Sequence, residues 1–167
     1  MHSDDQPAVV VRPMASHDRA SVASLVVSVD NFNKAEIECA LELVDIYLND
    51  ADQTDYHLVV AEDATGAVRA YACWGPVPLT VGTYDLYWIA THPQWRGRGF
   101  GNALMTYIET RVVERQGRLL VVETSSKSSY AGTVEFYRRI GYREASRIRD
   151  FYDIGDDRLI FVKRLAR

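Results

Sequence analysis

Apolar and polar positions recur along this chain with two different periods, and the switches between them mark out its elements. Residues 8–13 alternate weakly, which predicts a short strand ending at Pro13. Val22, Leu25, Val26 and Val29 follow at helical spacing. A second stripe, Ile37, Leu41, Val44 and Leu48, falls at i, i+4, i+7 and i+11, with Glu36, Glu38, Glu42 and Asp45 mostly opposite. Tyr56 to Glu62 predicts a strand, Asp63-Ala64-Thr65-Gly66 a turn, and Val68 to Trp74 the returning strand of a hairpin. Gly75-Pro76-Val77-Pro78 is expected to break that strand before the next, at Tyr84 to Thr91. Beyond a glycine-rich stretch, Leu104, Ile108 and Val112 predict a helix reaching about Gln116, with Gly117 as its C-cap. Leu119 to Thr124 is almost wholly apolar and is expected to be a central strand covered on both faces. After a polar loop from Ser125 to Ser129, Val134, Tyr137 and Ile140 give a short helix that stops at Gly141. Tyr142 to Ile154 and Arg158 to Leu165 then form two antiparallel strands about Gly155-Asp156-Asp157. The order β-α-α-β-β-β-α-β-α-β-β, without repeat or linker, predicts one α/β (α+β) domain over residues 1–167, a mixed sheet with helices on its faces.

Bulk composition narrows the function classes. A chain of 167 residues, 47% hydrophobic and 25% charged, buries a substantial core unaided. No apolar run approaches the roughly 20 residues of a membrane helix, and Met1 to Gln6 lacks the form of a signal peptide, so a cytoplasmic protein without a membrane partner is expected. Cys39 and Cys73 fall in a predicted helix and a predicted strand and are expected to be reduced core residues. Neither they nor the scattered His2, His17, His57 and His92 have metal-ligand spacing, so no metal is expected. A net charge of −4 argues against nucleic acid as the main partner. Ten acids lie between Asp30 and Asp63 against the single base Lys34, whereas five arginines lie between Arg96 and Arg118 against Glu109 and Glu114. These two fields suit an anionic cofactor and a cationic partner.

The candidate chemistry is concentrated between Thr91 and Ala103, Thr-His-Pro-Gln-Trp-Arg-Gly-Arg-Gly-Phe-Gly-Asn-Ala. A strand, a glycine-rich turn and a helix N-terminus follow one another here. Alternate glycines let a ligand approach the backbone closely, and the helix's first amides and dipole favour an anion. With Arg96 and Arg98 between the glycines, the turn is expected to hold a pyrophosphate.

Two motifs resemble the GNAT superfamily of acyl-CoA-dependent N-acyltransferases. The family's cofactor motif, Arg or Gln, two residues, Gly, one residue, then Gly or Ala, is met by Arg96-x-x-Gly99-x-Gly101, and a second register is Gln94-x-x-Gly97-x-Gly99. The first is preferred because Gly101 then stands at the helix start. About forty residues on, Phe136-Tyr137-Arg138-Arg139-Ile140-Gly141-Tyr142 is similar to the family's Phe-Tyr, three residues, Gly-aromatic motif. Tyr84 to Ala90 and Glu123 to Ser126 resemble a bacterial subgroup of ill-defined function. Where many members carry an Asn that contacts the pantetheine arm, this chain has Tyr130.

The resemblance implies a mixed, mostly antiparallel sheet of about seven strands flanked by about four helices. It implies acetyl-CoA as co-substrate and transfer of its acetyl group to a primary amine by direct attack. Ile89, Ala90 and Thr91 would pair with the pantetheine arm through their backbone, as in strand addition, and Arg96, Gly97, Arg98, Gly99, Phe100, Gly101 and Asn102 would receive the pyrophosphate. Tyr137 would act as general acid toward the departing sulfur. A phenol near pKa ~10 and a thiol near ~8.5 make full transfer roughly 2 kcal/mol uphill, a cost that a strengthening hydrogen bond avoids. Glu123, at the end of the central strand, would take the amine's proton, with Asp85 or water as rivals, and Tyr84, Trp88 and Tyr130 are candidate acceptor-pocket residues. The acceptor is expected to be a cationic small-molecule or peptide amine, and a homodimer is compatible with the sequence. Two other readings stay open: a non-catalytic acyl-CoA-binding regulatory module, and an enzyme dependent on S-adenosylmethionine or NAD.

Overall fold

The computed structural model describes residues 8–165; Met1 to Gln6, read above for a signal sequence, lie outside them. The elements are β1 (Val10–Pro13), α1 (Arg19–Ser28), α2 (Lys34–Asn49), β2 (His57–Glu62), β3 (Val68–Pro76), β4 (Thr83–Thr91), α3 (Phe100–Glu114), β5 (Leu119–Ser125), α4 (Ala131–Arg139), β6 (Arg143–Asp153) and β7 (Asp156–Arg164). They follow the predicted order. The seven strands form one sheet in the order β1-β2-β3-β4-β5-β7-β6. Pairs β1–β2, β2–β3, β5–β7 and β6–β7 are antiparallel and β4–β5 is parallel, so the mixed, mostly antiparallel sheet and four helices are as expected. No described helix is long and apolar enough to cross a membrane.

Two compact units divide the described chain: residues up to Trp74 together with Trp88–Ile108, and Gly75–Tyr87 together with residues from Glu109 onward. In the first unit, α1 buries the predicted Val22, Leu25 and Val26. Helix α2 starts at a reciprocal cap: Glu36 N–H donates to Asn33 Oδ1 at 2.9 Å, and Asn33 N–H donates to Glu36 Oε2 at 2.7 Å. Its buried ridge is Ala40 and Val44, not the predicted Ile37, Leu41 and Leu48, which are half-buried. A small residue lets the helix approach along its own position, and the larger side chains flank the contact. Cys39 is exposed as a result, against the expectation of a core residue, whereas Cys73 is buried and burial pushes its thiol up.

The strand covered on both faces is β3, whose residues Ala70 to Trp74 are all buried. It continues through Gly75 to Pro76 instead of breaking at Gly75, since a proline ending a strand leaves no ladder donor missing. In the second unit β5 is central, between β4 and β7, but covered closely on one face only: Leu120, Val122 and Thr124 are buried, Leu119 and Val121 half-buried, and Glu123 exposed. Helix α4 ends as predicted at Gly141, whose φ is +93°. Tyr142 N–H donates to Tyr137 O at 2.9 Å and Gly141 N–H to Arg138 O at 3.1 Å, the bond pair that satisfies a helix's last carbonyls.

Helix α3 ends differently from the expectation. The left-handed residue is Gln116, at φ +61°, not Gly117. Gly117 is required for space: a Cβ there would stand 2.3 Å from Val112 Cγ1, 2.8 Å from Val112 O and 2.9 Å from Tyr84 Cε2. Gly155 is the opposite case, with φ +81° and room for a Cβ that would meet nothing within 4 Å. Gly117→Ala is therefore expected to cost about 3 kcal/mol by overpacking, against about 1 kcal/mol for Gly155→Ala from backbone strain alone. Urea denaturation of the two variants checks the difference, and equal midpoints would contradict it.

Candidate functional site

The glycine turn belongs to the first unit. Strand β4 ends at Thr91, and His92 N–H donates to Arg69 O of β3 at 2.8 Å. Pro93–Trp95 makes one 3-10 turn, closed by Trp95 N–H to His92 O at 2.8 Å. The backbone then turns left-handed twice, with φ +74° at Gly97 and +88° at Gly99. Ala103 N–H donates to Gly99 O at 2.9 Å, so Gly99 is the N-cap, and the amides of Phe100, Gly101 and Asn102 are the donors that an α-helix leaves without an internal acceptor. Gly101 falls at the second position of α3. A Cβ on Gly97 would meet no atom within 4 Å, so this surface is open to an approaching group. Open space beside three outward amides fits a diphosphate.

Charges around the turn are mostly paired. Arg96 Nη2 lies 2.9 Å from Asp30 Oδ1 between exposed side chains, and this hydrogen bond holds the Asp30 carboxyl below its ordinary value. Arg69 Nε donates to Asp63 Oδ2 at 2.7 Å. Asp63 is buried and also accepts from Thr65 Oγ1 at 2.6 Å, Thr65 N–H at 2.9 Å and Ala67 N–H at 3.2 Å. Hydrogen bonds from Thr65 and then Arg69 hold its carboxyl well below the usual range. The Arg69 and Arg98 guanidinium carbons lie 4.2 Å and 4.7 Å from the centroid of the Trp95 ring. The hairpin prediction already set Asp63 near Arg69, yet this pair and its indole were not singled out as site residues.

Ile89, Ala90 and Thr91 are the last residues of β4, with Ala90 buried and its neighbours half-buried. The β4–β5 ladder joins Thr83–Leu86 to Leu119–Val122, so these three residues lie beyond it. Trp88 meets Phe32 edge-on at 5.3 Å.

The proton-handling candidates belong to the second unit, on two faces of its sheet. In β5 and β7 the register pairs Val122 with Phe161 and Glu123 with Ile160, so alternation sends Glu123 away from Phe161. Tyr137 of α4 packs on the Phe161 side, its ring 6.2 Å from Phe161 and 5.7 Å from Tyr142, and it is only 2% exposed. Burial alone raises its phenol above the ordinary value. Tyr142 donates to Glu109 Oε1 at 3.0 Å, and Lys163 Nζ donates to Glu109 Oε2 at 2.8 Å and to Ile140 O at 3.0 Å, tying α3, α4 and β7 together. On the other face, Glu123 pairs closely with Arg158 and accepts from Tyr152 Oη at 3.3 Å. Asp85, in register with Val121, shares that face. Tyr84 is buried, packed beside Gly117 as a core residue, and Tyr130 is the half-buried N-cap of α4.

The acidic segment is largely spent within the fold. Asp45 pairs with Arg19, Glu62 with Arg12, Asp63 with Arg69, Asp30 with Arg96 and Glu38 with Lys34, while Glu36 caps α2. A shallow cleft of about 490 Å³ lined by Met14, Tyr47, Asp50 and His57 contains none of the predicted site residues.

Residues 54–144 match the family model of the acetyltransferase (GNAT) domain. The structure is similar to that of a GNAT-family protein from Desulfovibrio desulfuricans, with a TM-score of 0.89 and 40% identity over 95% of this chain and 100% of that one. It shares its fold with the ribosomal-protein-S18-alanine N-acetyltransferase of Escherichia coli, at TM-score 0.76 and 18% identity over 96% of each chain. The same holds for the aminoglycoside 6'-N-acetyltransferase of Enterococcus faecium, at TM-score 0.72 and 13% identity over 95% and 98%. No curated protein matches the sequence.

Burial raises the Asp85 carboxyl above its ordinary value, the neighbouring Glu123 raises it further, and Arg158 opposes both. An acid raised in the folded state binds its proton more tightly there than in the unfolded chain. Ionised Asp85 therefore costs stability above its folded pKa, and that cost vanishes below its unfolded pKa. Asp85→Asn is expected to raise the thermal midpoint at pH 7, with the gain shrinking as pH falls toward about 4. A pH series of melting curves checks this; a gain that grows on acidification would contradict it.

Proposed function

The chain belongs to the GNAT family of acetyltransferases, and on that premise we propose that it moves an acetyl group from acetyl-CoA to a primary amine by direct attack. The observation that carries this is the turn itself: left-handed Gly97 and Gly99 open onto the free amides of Phe100, Gly101 and Asn102. Those amides hold the diphosphate of coenzyme A. The backbone of Ile89, Ala90 and Thr91, past the end of the β4–β5 ladder, pairs with the pantetheine arm as an added strand would. Acetyl-CoA supplies the activated thioester.

The amine nitrogen forms a bond to the acetyl carbon, and the carbon–sulfur bond breaks with its electron pair leaving on sulfur. An amine of pKa near ~10.4 must first lose a proton. Glu123 or Asp85 takes it, directly or through water. Glu123 is held by its pairing with Arg158, and the raised carboxyl of Asp85 makes Asp85 a stronger base than an ordinary carboxylate. Tyr137 donates a hydrogen bond to the departing thiolate. Its raised pKa makes complete proton release harder and keeps the donor proton in place throughout the neutral range. Backbone amides near Ile89 and Ala90 stabilise the oxyanion. Free thiols at Cys39 and Cys73 suit a reducing cytoplasm.

Thermal shift with acetyl-CoA, S-adenosylmethionine and NAD in parallel tests the cofactor class. Stabilisation by one of the last two and not by acetyl-CoA would refute the proposal. Tyr137→Phe is expected to lower kcat by about a hundredfold while the Kd for acetyl-CoA stays within about twofold. Thiol release across an amine library, with titration of the coenzyme, reads both. Binding of acetyl-CoA without thiol release from any amine would favour the regulatory module.

A further inference from the structure

The ladder between β6 and β7 is interrupted near its turn. Ile148 pairs with Arg158 and Asp153 with Asp156, so Arg149 to Tyr152 stand opposite Asp157 alone. Within this bulge Asp150 takes a left-handed φ of +50°, which costs a residue with a Cβ free energy. Two carboxylates hold it there. Asp150 N–H donates to Asp157 Oδ1 at 3.0 Å, and Gly155 N–H donates to Asp150 Oδ1 at 2.7 Å. Asp157 is fixed in turn, accepting at Oδ2 from Arg147 Nη1 at 3.1 Å and donating its N–H to Ser126 Oγ at 2.8 Å. A bulge secured in this way re-aims the side chains it carries.

Those side chains are two aromatic rings. Phe151 and Tyr152 meet edge-on at 5.0 Å and stay 48% and 45% exposed. The Arg158 guanidinium carbon lies 4.9 Å from the centroid of Phe151, and Tyr152 Oη donates to Glu123 Oε1 at 3.3 Å. Arg158 also pairs with Glu123, and the charge of Glu123 acts on the half-buried Asp85. The rings thus border the sheet face that carries both carboxylates. Glu123 has its counter-charge in Arg158, whereas Asp85 stands in no ion pair among the described residues.

An acid beside exposed rings suits a ligand with two parts. An ammonium group is attracted to the carboxylate, more strongly where water is partly excluded. Rings left half in water regain apolar burial and edge-to-face contacts only from an apolar, preferably aromatic, body. A linear polyamine supplies the charge and leaves the rings wet. Resting on the acetyltransferase reading, we propose that Phe151 and Tyr152 select the acceptor: a primary amine joined by a short alkyl linker to an aromatic ring, which packs on theirs while the amino group meets Asp85.

Acetyl-CoA-dependent thiol release with 2-phenylethylamine, n-butylamine and spermidine tests this, with acetyl-CoA binding titrated in parallel. The native protein should prefer 2-phenylethylamine to n-butylamine in kcat/KM by roughly tenfold or more. Phe151→Ala and Tyr152→Ala should each bring that ratio to within about threefold of one. Tyr152→Phe loses the hydroxyl, keeps the ring and should keep the preference. A ratio of two acceptors on one protein cancels any change in the base, so it reads the rings. Both positions are exposed, so the variants are expected to fold, and melting curves check them. A native ratio near one, faster turnover of spermidine, or a preference that survives both alanine variants would overturn the proposal and leave the acetyltransferase reading standing. Alanine variants that turn a dimer into monomers with the preference intact would assign the rings to a second copy, and also overturn it. Release from none of the three amines overturns it too, and loss of acetyl-CoA binding in the native protein would overturn both readings.

Discussion

Two left-handed residues in a span of three, Gly97 and Gly99, set what the end of β4 can do. With φ at +88°, Gly99 can serve as N-cap without a Cβ clash, so α3 begins at Phe100 and its first amides face outward. The residue caught between the two glycines, Arg98, is exposed, and its guanidinium comes to rest on Trp95. Trp95 is in place because Pro93 opens a 3-10 turn that His92 ties to β3. Neutral donors, a cation and an aromatic platform thereby follow from one local backbone path.

In the second unit the organising constraint is strand alternation. The registers of β4, β5 and β7 place Leu120, Val122 and Phe161 on one face and Asp85, Val121 and Glu123 on the other. Helix α4 lays Tyr137 on the first face, and the Glu109–Lys163–Tyr142 network keeps the end of that helix attached. Tyr137 and the two carboxylates therefore lie on opposite faces of the sheet and make no hydrogen bond to one another.

Periodicity made the element order and the C-terminal end of α4 legible, because apolar spacing and a C-terminal glycine are local signals. Side-chain space was not legible. Gly117 sits where a C-cap glycine is expected, yet its role is to let Val112 and Tyr84 close in, and the left-handed residue is Gln116. The exposure of Cys39 depends on which residues of α2 face the core, a rotation that Ile37 and Leu41 suggest wrongly and Ala40 decides. The glycine turn was visible as a motif, whereas the contacts of Arg69 and Arg98 with Trp95 were hidden, since they depend on how the turn after β4 lies against β3.

The charges show most clearly why a sequence count misleads. Ten acids between Asp30 and Asp63 look like a field, but the structure pairs several of them with Arg12, Arg19, Lys34, Arg69 and Arg96, where they secure the fold. The exposed pairs among them, Asp45–Arg19 and Glu38–Lys34, contribute little each, whereas Asp63 is buried against Arg69. The pairing is incomplete: among the described residues Arg98, Arg139, Arg143 and Arg149, and Glu42, Asp50, Asp52 and Asp55 of the acidic segment, stand in no ion pair. Arg98 shares the Trp95 ring with Arg69, and Asp85 is a partly buried acid raised by Glu123. Asp85 differs from these in being partly buried beside Glu123, so its raised carboxyl comes from strand register and burial, which no count of charges along the chain could show.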